Sequence, residues 1–286
     1  EIGGQIVAGG KSVEHYKEGD RVTVAHHVPC NTCHFCLSGH HTVCPTLRQT
    51  NFDPGGFAEY IRLPAINVDR GLFLLPDEIS YEEATFIEPL ACVLRGQRLS
   101  QMQPGKSVLV IGSGVAGLLH IQLARTLGAA QVIASDITPY RLEIAKRLGA
   151  DATIHAEDDL PTRLRQLNHG YLADQVIVCT GAPSAIAQAL KSVERGGTIL
   201  FFAPTNPGVT IPIPITELFW RTEITLTSSY AGSPADYQTA LELIRAGTVS
   251  TGQMITHRLG LTETGLGFQF VTEAQNSIKV IIEPQR

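Results

Sequence analysis

VLVIGSGVAGLLHIQLARTLGAAQVIASD, residues 108–136, decides the fold. Val108 to Ile111 is a short apolar run of the kind that forms a buried strand. It is followed at once by Gly112-x-Gly114-x-x-Gly117 and then by Leu118, Ile121, Leu123, Ala124 and Leu127 at helical spacing. A second apolar run, VIASD, closes the unit at Asp136. Three glycines alone say little, but glycines set between a strand and a helix have a mechanical meaning. Gly112 permits the tight turn, Gly114 the approach of backbone to a pyrophosphate, and Gly117 close packing of helix on strand. Val115 opens the helix, whose unpaired N–H groups suit an anion. Asp136 stands where a carboxylate would take both hydroxyls of an adenosine ribose and repel an added phosphate, so NAD is expected over NADP. Arg141, five residues on, would cover the adenine face or cap the surface.

Downstream, the βα alternation continues. RLEIAKRLGAD and PSAIAQALKSV read as helices, and DQVIVCTGAP, GGTILFFAP and TEITLTSSYAG as strands with their turns. That alternation is the pattern of a doubly wound parallel sheet. Thr180 and Gly181 follow a strand end, which makes them expected nicotinamide neighbours or members of an ordinary βα turn. PADYQTALELIRAG reads as another helix, and NSIKVIIEP as a final strand returning to the first domain.

Upstream the character changes. GQIVAGG, DRVTVAHHV and GGFAEYIRLP carry short apolar or alternating runs between turn signals, and up to about residue 89 an all-β unit is expected. YEEATFIEPLACVLRGQRL then reads as a helix. Within the first part lies CNTCHFCLSGHHTVC, residues 30–44, with Cys30, Cys33, Cys36 and Cys44 at spacings of metal-binding type. Four thiolates fill a tetrahedral shell and leave no place for water or substrate, so a structural zinc is expected, with an iron–sulfur centre as the alternative. The histidines around them, His26, His27, His34, His40 and His41, then read as surface or supporting residues.

Composition bounds the partners. The chain has 286 residues, 43% hydrophobic and 17% charged, enough for one large or two ordinary globular domains. A net charge of −5 and a pI near 6.1 provide no electrostatic footprint for nucleic acid or an anionic membrane. No apolar run reaches spanning length. A thiol-rich chain without a signal peptide pattern is expected in the cytoplasm.

Taken together, GDRV (19–22), VPC and the cysteine lobe (28–44), GGFAEY (55–60), EPL (88–90), VLVIGSGVAG (108–117) and THR (256–258) resemble the zinc-containing medium-chain alcohol dehydrogenase superfamily, in particular its polyol and threonine dehydrogenase-like branch. The resemblance spans essentially the whole chain. It implies an α/β protein: a GroES-like β-barrel domain from residues 1–89 and 228–286, with a Rossmann NAD-binding domain, 90–227, inserted between them. The active site of such proteins is the cleft between the two domains. The implied activity is hydride transfer between a secondary alcohol or polyol and NAD, and the implied assembly is a homodimer or homotetramer, with Phe219 and Trp220 as candidate contacts or as members of the ordinary sheet core.

The resemblance also matches Glu1 and Glu88 to the acidic residues near the family's catalytic zinc, while placing that zinc's cysteine and histidine ligands before residue 1. The 286 residues by themselves are therefore expected to be silent in dehydrogenation, and the chain with an upstream segment to be the zinc enzyme. Two other classes fit parts of the sequence. A non-catalytic protein would bind NAD and the structural zinc only, and a zinc-free quinone or enone reductase would lack use for the cysteine lobe and for Glu88.

Overall fold

The computed structural model describes residues 1–286, which divide into two compact units. One comprises Glu1–Cys92 with Tyr230–Arg286, the other Val93–Ser229.

The first unit opens with β1 (Gly3–Gln5), β2 (Arg21–Val24) and β3 (Leu72–Leu74), an antiparallel sheet in the order β1-β2-β3. Val22 and Val24 of β2 join Phe52 and Leu72 in a small core. Thr23, on the other face of β2, is also buried, and its hydroxyl donates to the Ile2 carbonyl at 2.8 Å.

The expectation of an all-β unit up to residue 89 is corrected here in two places. GGFAEYIRLP forms no ladder; a single bridge joins Asp53 to Arg62, reinforced by an ion pair at 2.9 Å. Its apolar residues divide: Ile61 and Leu63 pack against the core of Val22, Val24, Phe52 and Leu72, while Phe57 and Tyr60 are exposed and Phe57 packs edge-on to Phe268. Residues Ala65–Gly71 are a helix instead, opening after Pro64. Buried Asn67 pins it, donating through Nδ2 to the Ala25 and His26 carbonyls at 2.9 and 3.0 Å.

The helix expected over residues 81–99 is two helices, Tyr81–Ala84 and Ile87–Leu99. Ser80 and Glu83 form a capping box on the first. Pro89 falls in the first turn of the second, where a missing N–H costs nothing. It cannot bond the Thr85 carbonyl, which takes a lysine instead: Lys279 Nζ donates to it at 3.1 Å.

The second unit is a six-stranded parallel sheet in the order β6-β5-β4-β7-β8-β9. Its strands are β4 (Ser107–Ile111), β5 (Gln131–Asp136), β6 (Ala152–His155), β7 (Ala173–Val178), β8 (Val193–Phe201) and β9 (Thr225–Ser228). β4 is buried along its entire length, as a central parallel strand covered on both faces must be. The connecting helices include Val115–Thr126, Pro139–Arg147, Pro183–Ser192 and Leu160–Leu167, the last capped by Asp159 with Pro161 in its first turn. The strand order reverses between β4 and β7, the topological switch point of a doubly wound sheet.

The chain then supplies the rest of the first unit. The helix Pro234–Arg245 is capped by Ser233 and Asp236, and Tyr237 on it stacks against Phe73 of β3 at 5.8 Å. β10 (Ile255–Gly260) and β11 (Lys279–Glu283) pair in parallel around the intervening helix Thr264–Glu273. No helix is long and apolar enough to cross a membrane.

Candidate active site and metal centre

At the switch point of the second unit the glycine turn meets the end of β7. Gly112 has φ +96°, a conformation open to glycine, and a Cβ there would lie 3.1 Å from the Cys179 carbonyl carbon and 3.4 Å from Thr180 Cβ. Thr180 thus packs on the turn that Gly112 makes. A Cβ on Gly117 would stand 1.8 Å from the Gly112 oxygen, so only glycine lets the helix Val115–Thr126 close on the turn. On Gly181 it would stand 2.3 Å from the Pro204 oxygen. Gly114 differs. The nearest atom to its missing Cβ is Arg141 Nη1, 4.0 Å away, leaving an open cradle at the helix N-terminus.

Asp136, at the end of β5, is buried and oriented by backbone. Ser113 N–H donates to its Oδ2 at 2.7 Å and Thr138 N–H to its Oδ1 at 2.8 Å. Each oxygen keeps a further lone pair for a hydroxyl. Arg141 places its guanidinium by Gly114, and its buried Nε has no partner within the protein. An open glycine cradle, an anchored carboxylate and an orphaned guanidinium nitrogen fit a dinucleotide with its charged phosphates.

The cysteine lobe of the first unit is built around sulfur. Cys30, Cys33, Cys36 and Cys44 place all four Sγ atoms within 4.8 Å of one another, and none forms a disulfide. A tetrahedron with Zn–S bonds of about 2.3 Å has sulfur–sulfur edges of about 3.8 Å. The observed separations, 3.5 Å for Cys33–Cys36, 3.6 Å for Cys30–Cys44 and 4.0 Å for Cys30–Cys36, bracket that length. Cys33 N–H points at Cys30 Sγ and Cys30 N–H at Cys44 Sγ, the second-layer donors that a thiolate cage uses. Hydrogen bonds from Thr32 and Cys33 hold the Cys30 thiol down to about 5, whereas burial pushes Cys36 up to about 12. Beyond Cys36, Cys44 and Leu47 the lobe has little core, so a cation gathering the four sulfurs fits both its geometry and its need for a cross-link.

The acidic residues lie elsewhere in the same unit. Glu88, in the first turn of the helix Ile87–Leu99, accepts through Oε1 from the Cys92 thiol one turn on, at 3.3 Å. Burial, and next the charge of Glu1, raise the Glu88 carboxyl above its usual range. Cys92 is in turn pushed up by burial and by Glu88, which keeps it a thiol. Glu1 forms an ion pair with Lys279, whose ammonium also sits 4.7 Å from the centre of the Phe86 ring. Lys279 was missed in the sequence, although a signal exists: in KVIIE it shares the inward parity of Ile281, and a lysine on the buried face of a strand needs a partner. Glu1 and Glu88 belong to no group of three or more potential metal ligands; the one such group is the cysteine lobe. Two carboxylates are a poor match for zinc, so these residues do not by themselves compose a second zinc site.

A family model for a zinc-binding dehydrogenase matches residues 115–246, and one for the alcohol dehydrogenase GroES-like domain matches residues 1–76. Sorbitol dehydrogenase of Bacillus subtilis (strain 168) is 31% identical over 291 residues, covering 100% of this chain and 80% of its own. L-threonine 3-dehydrogenase of Bacillus licheniformis is 32% identical, over 99% of this chain and 81% of its own. Among solved structures, a Sinorhizobium meliloti 1021 protein of the zinc-binding dehydrogenase type bound to NADP superposes with a TM-score of 0.87 at 27% identity, covering 99% of this chain and 82% of its own. An alcohol dehydrogenase from Thermus sp. ATN1 gives 0.84 at 27% identity, over 98% and 82%. The parallel sheet with its glycine turn, the four-cysteine lobe and these matches agree: the chain belongs to the zinc-containing medium-chain alcohol dehydrogenase superfamily, on its polyol dehydrogenase-like branch.

Proposed function

We propose that the protein is a zinc- and NAD-dependent oxidoreductase that moves a hydride between a secondary alcohol or polyol and NAD. The observation that carries this reading is the open Gly114 cradle beside the anchored Asp136 at the switch point of the parallel sheet. Bound NAD supplies the hydride acceptor, its nicotinamide ring. Gly114 and Val115, at the helix N-terminus, hold the pyrophosphate, and Arg141 adds positive charge beside it. Asp136 takes the adenosine ribose hydroxyls and disfavours an added phosphate by like charge. Thr180 and Gly181, against Gly112, flank the nicotinamide end. In the first unit Glu88 and Glu1 are the acidic residues of the reacting site. Glu88 holds its proton to higher pH than an ordinary carboxyl, and Lys279 fixes Glu1. Cys30, Cys33, Cys36 and Cys44 hold a structural zinc that cross-links the lobe.

The names of the relatives support an alcohol of this class: sorbitol dehydrogenase, D-arabitol-phosphate dehydrogenase of Enterococcus avium and L-galactonate-5-dehydrogenase of Escherichia coli (strain K12). A cytoplasmic location is supported by six cysteines that are all free. A homodimer or homotetramer is supported by the exposed Trp220 and Ile215 next to the edge strand β9.

The test is to titrate the full-length protein with NAD and NADP, then follow NADH formation with secondary alcohols and polyols. NAD should bind tighter than NADP, and Asp136→Ala should shrink the difference about tenfold, the loss of one charge-assisted contact. Tighter binding of NADP would reverse the cofactor assignment. NAD binding with no turnover of any alcohol would leave a non-catalytic nucleotide-binding protein.

A further inference from the structure

His26 and His27 follow β2 as neighbours, yet their rings lie together, with centroids 3.9 Å apart. His27 is fixed at both nitrogens. Its Nδ1 lies 3.0 Å from the Thr50 carbonyl, which can only accept, so the ring carries its proton on Nδ1. Its Nε2 is then an acceptor, and the Tyr230 hydroxyl 3.4 Å away donates to it in a long hydrogen bond. With its proton directed at His27, the Tyr230 oxygen keeps its lone pairs for another donor, and the residue is 51% exposed. His26 rests between His27 and the edge of Phe52, at 6.2 Å. Burial, and next His27, lower it to about 4, so at neutral pH it is an uncharged ring with one donor and one acceptor. The charge of Glu1 acts on both His26 and Glu88, so the cluster and the acidic residues share one electrostatic environment within the same unit.

We propose that His26, His27 and Tyr230 form a hydroxyl-recognition subsite that selects an uncharged polyol over a simple secondary alcohol or a polyol phosphate. The Tyr230 oxygen accepts from a non-reacting hydroxyl, His26 exchanges a second hydrogen bond, and His27 holds Tyr230 in the accepting orientation. This rests on the dehydrogenase reading above. The physical case is one of matched polarity. Neutral donors and acceptors pair with neutral hydroxyls, and an alkyl alcohol would leave them unpaired on binding. A phosphate demands arginine or lysine, and this trio contains neither.

The test uses two variants of the full-length protein, Tyr230→Phe and His26→Phe, both of which keep a ring in place. NAD affinity, which belongs to the other unit, serves as the control for folding. Xylitol binding is measured by calorimetry with NAD present, and kcat/KM is compared for xylitol, isopropanol and D-arabitol phosphate. Each variant should weaken xylitol binding and lower the xylitol-to-isopropanol ratio of kcat/KM by about fivefold to tenfold, the usual worth of a neutral hydrogen bond. Wild-type protein should prefer xylitol to D-arabitol phosphate. Failure of xylitol to bind, an unchanged ratio in both variants, or a preference for the phosphate would overturn the subsite. If xylitol binds and the variants weaken it but no NADH forms, the subsite stands and the dehydrogenase reading falls. If isopropanol is oxidised while neither variant alters the response to xylitol, the dehydrogenase reading stands and the subsite falls.

Discussion

The cysteine lobe and the glycine turn are both short loops dense in one residue type, and they are held by opposite means. The turn at Gly112–Gly117 is enclosed by a finished sheet: β4 is wholly buried, Gly117 leaves no room for a methyl group, and the neighbouring strand end presses on Gly112. Its shape follows from packing and needs no ligand. The lobe at Cys30–Cys44 contains only a one-turn helix, a short 3-10 turn and a core of Cys36, Cys44 and Leu47. Its shape depends on four sulfurs being brought together. One loop takes its shape from packing alone, whereas the other would take its shape from an ion gathered by its four sulfurs.

The largest expected effect breaks the lobe alone. Cys36→Ser removes one of four thiolates from a site type worth on the order of 10 kcal/mol in apparent binding energy. Zinc measured by elemental analysis should be lost, and limited proteolysis should open the chain between residues 30 and 50. NAD affinity should be retained, since the nucleotide turn belongs to a separately packed unit. Zinc content equal to wild type would show that these cysteines are not the metal site.

Gly117→Ala probes the other half of the comparison. Its Cβ would meet the Gly112 oxygen far inside contact distance, and backbone must move to relieve it. Overpacking of this kind costs about 1–3 kcal/mol or more. Nucleotide affinity should fall at least tenfold and the thermal midpoint should drop, with zinc content unchanged. Full NAD affinity in this variant would mean that the turn is less rigid than its packing implies.

The smallest effect sharpens the picture at Glu88. Its carboxyl is raised in the folded protein, chiefly by burial and then by Glu1, while the Cys92 thiol and Lys279 act the other way; Tyr237 and Asp236 also lie in this neighbourhood. A raised folded value means that the folded state holds the proton longer than the unfolded one. Glu88 therefore adds stability below the usual carboxylate range, and that contribution is lost as pH rises through the folded value. Glu88→Gln should flatten this fall, since it removes the titrating proton. Denaturant midpoints across pH, measured in parallel for the two proteins, check it; identical pH slopes would refute the assignment.

The parts legible in sequence are those whose chemistry is local. The spacing of Cys30, Cys33, Cys36 and Cys44 is itself the geometry of a chelate, and Gly112, Gly114 and Gly117 mark a turn that few other residues can make. Sequence and structure part company where local pattern lacks a partner. GGFAEYIRLP alternates like a strand, yet it pairs only through one bridge: Ile61 and Leu63 reach the small core while Phe57 and Tyr60 face outward. YEEATFIEPLACVLRGQRL has helical spacing throughout, yet Pro89 restarts the helix and frees the Thr85 carbonyl for a lysine 194 residues away.

By itself, then, the sequence determined the doubly wound sheet, the nucleotide turn with Asp136 and the cysteine lobe, because hydrophobic period, glycine sterics and ligand spacing act within a few tens of residues. Only the tertiary structure decided that Lys279 clasps Glu1, that Glu88 leans on Cys92, and that His26 and His27 share a cluster with Tyr230. Those meetings depend on chain closure across as many as 278 residues, and no local pattern encodes which distant side chain will arrive.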